Sequence, residues 1–492
     1  MSSKQARGPR PLWKEECGVF GFWSETRPVA DVCYFGLFAL QHRGQEGAGI
    51  VVTDGIHVDI EKGAGLMAEV FKNRVPSLNG HCAIGHVRYS AFEGNSFSSI
   101  QPLLASFASP CGGFLSLAHN GSISNAGKIR KLLEAKGCTF QSASDSELIL
   151  NLIALNPAAS AEDKILQSLE LIDGAYSLIL SAGGAMSEDG RRAPAKLIGV
   201  RDPYGFRPLC LGRIGKEEDR EFVFASETCA LDAVGADFVR DIEPGEMVVA
   251  DRSGLRSYRL RKTAKRSFCV FEYIYFARPD SDIDGLNVWQ SRHSMGRQLA
   301  REYLANAKEK NLELADIVVP VPDTGIAAAI GFSEESGIPY VEGLIKNRYV
   351  GRTFILPSQS ERKATVEMKL SPIRENLRGR KVALLDDSIV RGTTSARLVS
   401  LLRQAGAAEI HMCISAPPIT HPCYYGIDTS IRRELIAAVA SKDEICRIIG
   451  TDRLHYISLD GLLGSVNDSG GERMCTACFN GDYPTDVTEV CS

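Results

Sequence analysis

Short apolar runs separated by glycine and polar turns fill the chain up to about residue 255, notably at 48–52, 82–89, 176–180, 197–200 and 222–225. Such runs between turn signals read as strands. Helical spacing interrupts them at 129–136 and 147–155. Strands in series with few helices predict an α+β sandwich of mostly antiparallel strands. The basic, turn-rich stretch 252–265 reads as a linker. Beyond it the pattern becomes strand–helix alternation: helix 290–306, strand 317–320, helix 326–335, strand 382–385, helix 396–405, strand 409–415. That order predicts an α/β domain with a parallel, doubly wound sheet. Between 344 and 374 lies a long stretch with Gly351, Pro357, Ser358, Gln359, Ser360 and several Lys and Arg. A segment of that length is unusual in a compact domain, and its basic character suits a lid over an anionic ligand.

Composition narrows the class. With 492 residues, 44% of them hydrophobic and 24% charged, the chain has the make-up of a soluble protein of two or three domains. A net charge of −4 leaves no nucleic-acid footprint. No apolar run reaches the roughly 18 residues of a membrane helix. Residues 1–16 lack the apolar core of a secretory signal, so a cytoplasmic location is expected. The 14 cysteines are irregularly spaced, which argues against a disulfide framework. Cys33, Cys82, Cys138, Cys210 and Cys413 sit in apolar contexts and read as small buried hydrophobes.

The chemistry concentrates first in Val382-Ala-Leu-Leu-Asp-Asp-Ser-Ile-Val-Arg-Gly-Thr-Thr-Ser395. A short strand runs into two carboxylates, Asp386 and Asp387, then into a small, hydroxylated loop ahead of a helix. Free N–H groups at a helix start cradle phosphate. Gly392 allows close approach, and Ser388, Thr393, Thr394 and Ser395 add hydroxyl donors. The carboxylates suit sugar hydroxyls, directly or through Mg2+. A ligand with a phosphate at one end and a vicinal diol at the other is a ribose 5-phosphate. The string is not a Walker A loop, for no Gly-Lys-Ser/Thr follows the glycine. It resembles the phosphoribosyl-pyrophosphate (PRPP) loop of the type I phosphoribosyltransferases. That resemblance implies PRPP contacts at Asp386, Asp387, Ser388, Arg391, Gly392, Thr393 and Thr394, and Mg2+ ligands at Asp386, Asp387 and Thr324 of Val321-Pro-Asp-Thr324.

A second set of motifs stands at the other end: Glu15-Glu16-Cys17-Gly-Val-Phe-Gly21, Leu40-Gln-His-Arg-Gly-Gln-Glu-Gly-Ala-Gly49, Gly85-His-Val-Arg-Tyr89, His119-Asn-Gly-Ser-Ile123 and Ser144-Asp-Ser-Glu147. In order and spacing they resemble the class II glutamine amidotransferases, which are N-terminal-nucleophile hydrolases. The resemblance implies a propeptide, 1–16, and a nucleophile, Cys17, whose freed α-amine acts as its base. An α-amine has a pKa near ~8, so it can take the thiol proton without a histidine. The Asn120 amide and the Gly121 N–H match the family's oxyanion donors. Arg88 would hold the glutamine α-carboxylate and Asp145 its α-ammonium. Ala91, Phe92 and Glu93 depart from the family's usual stretch after the arginine.

Cys475-Thr-Ala-Cys478 has metal or redox spacing, and Cys269 and Cys423 are the candidate partners. Spacing alone leaves zinc and iron–sulfur both open. The surroundings of the four cysteines resemble the 4Fe–4S branch of the amidophosphoribosyltransferases. Cys491 has no assigned partner. Further stretches shared with that family are 200–208, 346–353 and 426–429.

The family as a whole implies domains over 17–255 and 266–492 and a reaction in de novo purine synthesis. Glutamine is hydrolysed at Cys17, and ammonia passes internally to PRPP to give 5-phosphoribosylamine and pyrophosphate. It also implies a homotetramer and feedback inhibition by purine nucleotides. The other readings are a different class II glutamine amidotransferase, a PRPP-binding regulator and a zinc structural protein. The 382–395 string argues against the first, and a regulator or a structural protein has no use for the Cys17 motifs.

Overall fold

The computed structural model describes residues 17–72, 74–89, 97–107, 112–184, 193–347, 370–429, 431–466 and 474–488. Residues 1–16, the Ala91, Phe92 and Glu93 departure, 348–369 of the expected lid and Cys491 lie outside the described residues.

The first half supplies the strands β1 (Cys17–Trp23), β2 (Gly47–Thr53), β3 (Val58–Ala64), β4 (Cys82–Arg88), β5 (Leu103–Ser106), β6 (Phe114–Ile123) and β7 (Gly174–Gly183). It continues with β8 (Lys196–Arg201), β9 (Cys210–Ile214), β10 (Glu221–Ala225), β11 (Asp237–Asp241), β12 (Glu246–Asp251) and β13 (Gly254–Arg259). One antiparallel sheet runs β11-β9-β10-β1-β4-β2-β3, the other β13-β12-β8-β7-β6-β5. Their inner faces meet through Val19, Ile84, Ala118, Ile179, Leu197 and Phe224. Helix α1 (Val29–Ala39) closes the outer face of the first sheet with Cys33 and Leu37 against Phe20 and Ala83. Helix α2 (Asp145–Ala154) packs Leu148 and Leu152 on the outer face of the second, against Leu117 and Leu178. Covered on both faces, β1, β4 and β6 are buried at every position. This is why 82–89, the run that forms β4, reads as apolar throughout and not as alternation.

Within the stretch expected as a linker, Gly254–Arg259 forms β13 at a sheet edge. Its residues alternate between half-buried and exposed, so Arg256, Ser257 and Arg259 gave it a polar look.

The second half contains β14 (Phe268–Cys269), helix α3 (Val288–Glu309), β15 (Ile317–Pro320), helix α4 (Ile326–Ser336) and β16 (Lys381–Asp386). After these come helix α5 (Thr393–Gln404), β17 (Glu409–Ile414), β18 (Arg453–Tyr456) and β19 (Met474–Cys475). β15, β16, β17 and β18 form a wholly parallel sheet in that order, as the strand–helix alternation predicts. In such sheets ligands bind beyond the carboxyl ends of the strands. Val321–Thr324 and Asp386–Gly392 both emerge there.

Candidate active sites

Cys17 is fully buried at the start of β1 and pairs with Arg88, the last residue of β4. The motif at 40–49 lies on this strand pair because Gly44 of the motif and Gly18 of β1 permit it. A Cβ on Gly44 would come within 2.5 Å of the Arg88 backbone. A Cβ on Gly18 would meet Val87 at 2.9 Å and Leu40 at 3.0 Å. At the far end of β1 the Trp23 Nε1 donates to the Ala195 carbonyl, and Gly21 lies against Ile179 and Leu197 of the facing sheet. Followed back along β1, that order sets Cys17 at the end of the sandwich where β6 carries Asn120 and Gly121.

Gly121 has φ +140°, and a Cβ there would sit 2.3 Å from the Ala175 carbonyl oxygen, so the position requires glycine. Asn120 is buried, and neither amide atom has a hydrogen-bond partner among the described residues. An unmatched buried amide is unfavourable for folding alone. Its Nδ2 is a ready donor for a ligand oxygen.

Asp145 opens α2, where the helix N-terminus favours a carboxylate. Its Oδ2 accepts from Ser122 Oγ at 3.0 Å and Ile123 N at 2.9 Å, which ties it to the strand of Gly121. Arg88 Nη1 donates to Ser99 Oγ at 2.7 Å. Gln101 Nε2 reaches Ser146 Oγ at 3.0 Å, and its Oε1 accepts from the His119 N–H at 2.7 Å. Arg88, Asp145, Asn120 and Gly121 therefore share one connected surround. His86 in β4 belongs to it as well: burial, aided by Arg88 and His119, pushes its pKa down to about 3. The motif at 85–89 contains His86, but no role for a neutral, buried imidazole is visible from spacing.

In the second half Asp386 ends β16 and Asp387 follows it, and both are almost fully buried. Asp387 Oδ2 accepts from Thr324 Oγ1 at 2.5 Å and Oδ1 accepts from Ser388 Oγ at 2.6 Å, while Asp386 Oδ1 accepts from Asp387 N at 3.0 Å. Burial and the Asp387 charge push Asp386 well above the ordinary carboxylate range. Burial also raises Asp387, against the pull of Ser388, Thr324 and the buried Arg292. Two carboxylates held in this state call for a cation or for hydroxyl donors. Gly392, at φ +76°, caps α5, so Thr393 and Thr394 lie in the first turn of the helix, not ahead of it. Arg391 pairs with Glu434 through Nε at 3.0 Å and Nη2 at 2.6 Å.

Cys269 and Cys475 are register partners in the short parallel pair β14–β19. Thr420 and His421, next to Cys423, donate their N–H groups to the Cys478 carbonyl at 3.0 and 3.1 Å. Burial, against the pull of Arg207, pushes the Cys269 thiol up to about 12. Cys475 and Cys478 are also pushed up, first by burial and then by the other thiols of the set. Among the described residues no group of three or more His, Cys, Asp or Glu is arranged as a metal cage. The donor type nonetheless suits a soft metal or cluster, because thiols this deeply buried need a compensating positive charge to ionise.

Sequence reading missed the buried charges that join the halves. Arg43 Nη2 pairs with Glu272 at 2.6 Å and its Nε with Glu227, and Arg207 Nη1 pairs with Glu272 at 2.9 Å. Removing one member of such a set costs about 3–5 kcal/mol, because a charge is left buried without its partner. Arg201 binds Asp284 with both nitrogens, at 2.8 and 2.7 Å.

Comparison with known proteins bears on the whole chain. A family profile described as a glutamine amidotransferase domain matches residues 86–233. The amidophosphoribosyltransferase of Bacillus subtilis (strain 168) is 47% identical over 477 residues, 96% of this chain and 95% of that one. That of Methanocaldococcus jannaschii is 45% identical over 490 residues, 96% of this chain and 98% of its own. A solved structure described as the allosteric regulatory enzyme of purine biosynthesis superposes with a TM-score of 0.85 at 47% identity, covering 96% of this chain and 97% of its own. The B. subtilis glutamine PRPP amidotransferase complexed with ADP and GMP gives 0.84 at 46% identity, covering 96% and 98%. With relatives this similar from end to end, the chain belongs to the amidophosphoribosyltransferase family.

Proposed function

We propose that this chain hydrolyses glutamine at Cys17 and uses the ammonia to convert PRPP into 5-phosphoribosylamine, a step of purine biosynthesis. The observation that carries the reading is the Cys17–Arg88 strand pair lying at the same end of the sandwich as the Asn120 amide, which has no hydrogen-bond partner among the described residues. With residues 1–16 removed as a propeptide, the α-amine of Cys17 takes its thiol proton. The thiolate attacks the glutamine side-chain amide, and the oxyanion is met by Asn120 Nδ2 and Gly121 N–H. The C–N bond then breaks, the proton passes to the departing ammonia, and water hydrolyses the thioester to glutamate. Arg88 and Asp145 hold the α-carboxylate and α-ammonium. In the second half, ammonia attacks C1 of PRPP and pyrophosphate leaves.

The division into 17–255 and 266–492 assigns one half-reaction to each part. Asp386, Asp387, Ser388, Arg391, Gly392, Thr393 and Thr394 hold PRPP in this reading, which requires Arg391 to exchange Glu434 for phosphate. Mg2+ would be held by Asp386, Asp387 and Thr324, and when bound it supplies positive charge to the leaving pyrophosphate. Cys269, Cys423, Cys475 and Cys478 would hold a 4Fe–4S cluster, whose iron supplies the charge that lets the thiols ionise. Anaerobic analysis should find iron and sulfide; zinc in their place would overturn the cluster. A homotetramer and feedback by purine nucleotides complete the reading, the latter in keeping with the solved relative complexed with ADP and GMP.

The test is pyrophosphate release from PRPP, driven first by glutamine and then by ammonium. Cys17→Ala should abolish the first and spare the second. Loss of both would show that the two sites are not separable, and full activity of a chain still carrying residues 1–16 would remove Cys17 as nucleophile.

A further inference from the structure

The peptide that packs behind Gly121 comes from the other half of the molecule. Gly426 has φ +113°, and a Cβ there would lie 3.2 Å from the Gly121 Cα and carbonyl carbon and 3.0 Å from Arg207 Nη2. Arg207 is buried and clamps that peptide: its Nε and Nη2 donate to the Tyr425 carbonyl at 3.3 and 3.1 Å. Its Nη1 is held by Glu272, which Arg43 of the motif over Cys17 also binds.

The backbone of the same arginine reaches the strand beside Asn120. Ser177 Oγ donates to the Arg207 carbonyl at 3.1 Å, and Ser177 is the register partner of Asn120 across β6 and β7. One residue earlier, the Phe206 ring stacks on Tyr425 with centroids 4.2 Å apart. Arg207 thus holds the glycine–asparagine pair from two sides, through Ser177 beside it and through Tyr425–Gly426 behind it.

We propose that Arg207 is a positioning residue for acyl transfer at Cys17. By clamping the Tyr425–Gly426 peptide, it fixes the Gly121 N–H and the Asn120 amide where the oxyanion forms. The proposal rests on the reading of those two residues as the oxyanion donors. Glycine has the widest backbone freedom, so a donor N–H at Gly121 needs support from outside its own strand. Misplacing a catalytic group by about 1 Å is enough to lose much of its effect.

The test uses full-length Arg207→Gln, Arg207→Lys and Gly426→Ala, assayed well below their melting temperatures. Gly426→Ala disturbs the same contact while keeping both Arg207 and its partner Glu272 in the chain, which guards against an Arg207 variant that fails to fold. Three quantities are read: kcat and KM for glutamine hydrolysis, the rate at which iodoacetamide alkylates Cys17, and ammonium-driven pyrophosphate release. Alkylation forms no oxyanion and so reports an intact nucleophile.

Arg207→Gln and Gly426→Ala should lower the glutaminase kcat roughly 10- to 100-fold, less than the roughly 10²–10³ expected for deleting a donor itself. KM, alkylation and the ammonium-driven rate should stay within about 2-fold. Arg207→Lys should fall between wild type and Arg207→Gln, since one ammonium can reach the Tyr425 carbonyl or Glu272 but not both with two donors. An unchanged kcat in both Arg207→Gln and Gly426→Ala would overturn the proposal. So would a parallel fall in all three quantities, which marks general structural damage. A wild-type enzyme that hydrolyses no glutamine would instead remove the underlying reading of Cys17.

Discussion

Cys17 and Arg88 stand opposite one another, as a register pair, where β1 begins and β4 ends. In the proposed role Arg88 binds the glutamine carboxylate directly beside the nucleophile. A hydrogen bond to a charged group contributes roughly 1.5–3 kcal/mol, or about 10- to 100-fold in affinity. Arg88→Gln should therefore raise the glutamine KM by that factor, with ammonium-driven pyrophosphate release unchanged. A rise in the PRPP KM of the same size would place Arg88 elsewhere in the reaction.

Asn120 separates function from folding. Its amide has no hydrogen-bond partner among the described residues, so truncation removes no internal bond from them. Asn120→Ala should lower glutaminase kcat by roughly 10²–10³ while the melting temperature falls by no more than about 2 °C. Steady-state kinetics and calorimetry on the same preparation decide it. A large loss of stability with a small loss of rate would reverse the assignment.

Asp386 and Asp387 are held together at the end of β16, both pushed up by burial, and Asp386 also by its neighbour's charge. Exchanging one for a neutral amide relieves that repulsion in the protein without ligand. Asp387→Asn should thus raise the melting temperature of the ligand-free protein and still lose Mg2+-dependent pyrophosphate release by at least about 100-fold. Glutamine hydrolysis should survive. If the Asp387→Asn enzyme keeps wild-type pyrophosphate release at the same Mg2+ concentration, Asp387 is excluded from the site.

Local pattern explains why part of this arrangement was legible before folding. The runs at 317–320 and 382–385 are buried strands of a parallel sheet, where both faces demand apolar residues, so the pattern is strong. Gly44 of the motif at 40–49 marks close backbone approach, and the structure shows it against the Arg88 backbone. Other features leave no local trace. β18 is a four-residue strand that includes Arg453 and His455. Arg207 and Glu272 are 65 positions apart, and Arg43 and Glu272 are 229 apart. No periodicity can report a pairing made at that distance. The four cysteines stood out by their contexts, yet only the fold brings 269 beside 475 and the 420–423 segment against 478.

Asp241 in β11 gives a pH prediction of definite sign. Burial, with the Asp284 carboxylate nearby, pushes its pKa up to about 7 against the pull of Arg201 and Arg266. Those two cations are already engaged by Asp284. An unfolded aspartate titrates near ~3.9, so between about pH 4 and pH 7 the folded protein holds a proton that the unfolded chain has lost. The stability this group contributes is fully present below the unfolded pKa and is lost as pH rises through about 7. Asp241→Asn stays neutral throughout and should flatten that dependence. Its melting temperature should exceed wild type by more at about pH 8 than at about pH 5, measured by calorimetry in buffers of equal ionic strength. Equal differences at the two pH values would show that Asp241 does not carry the titration.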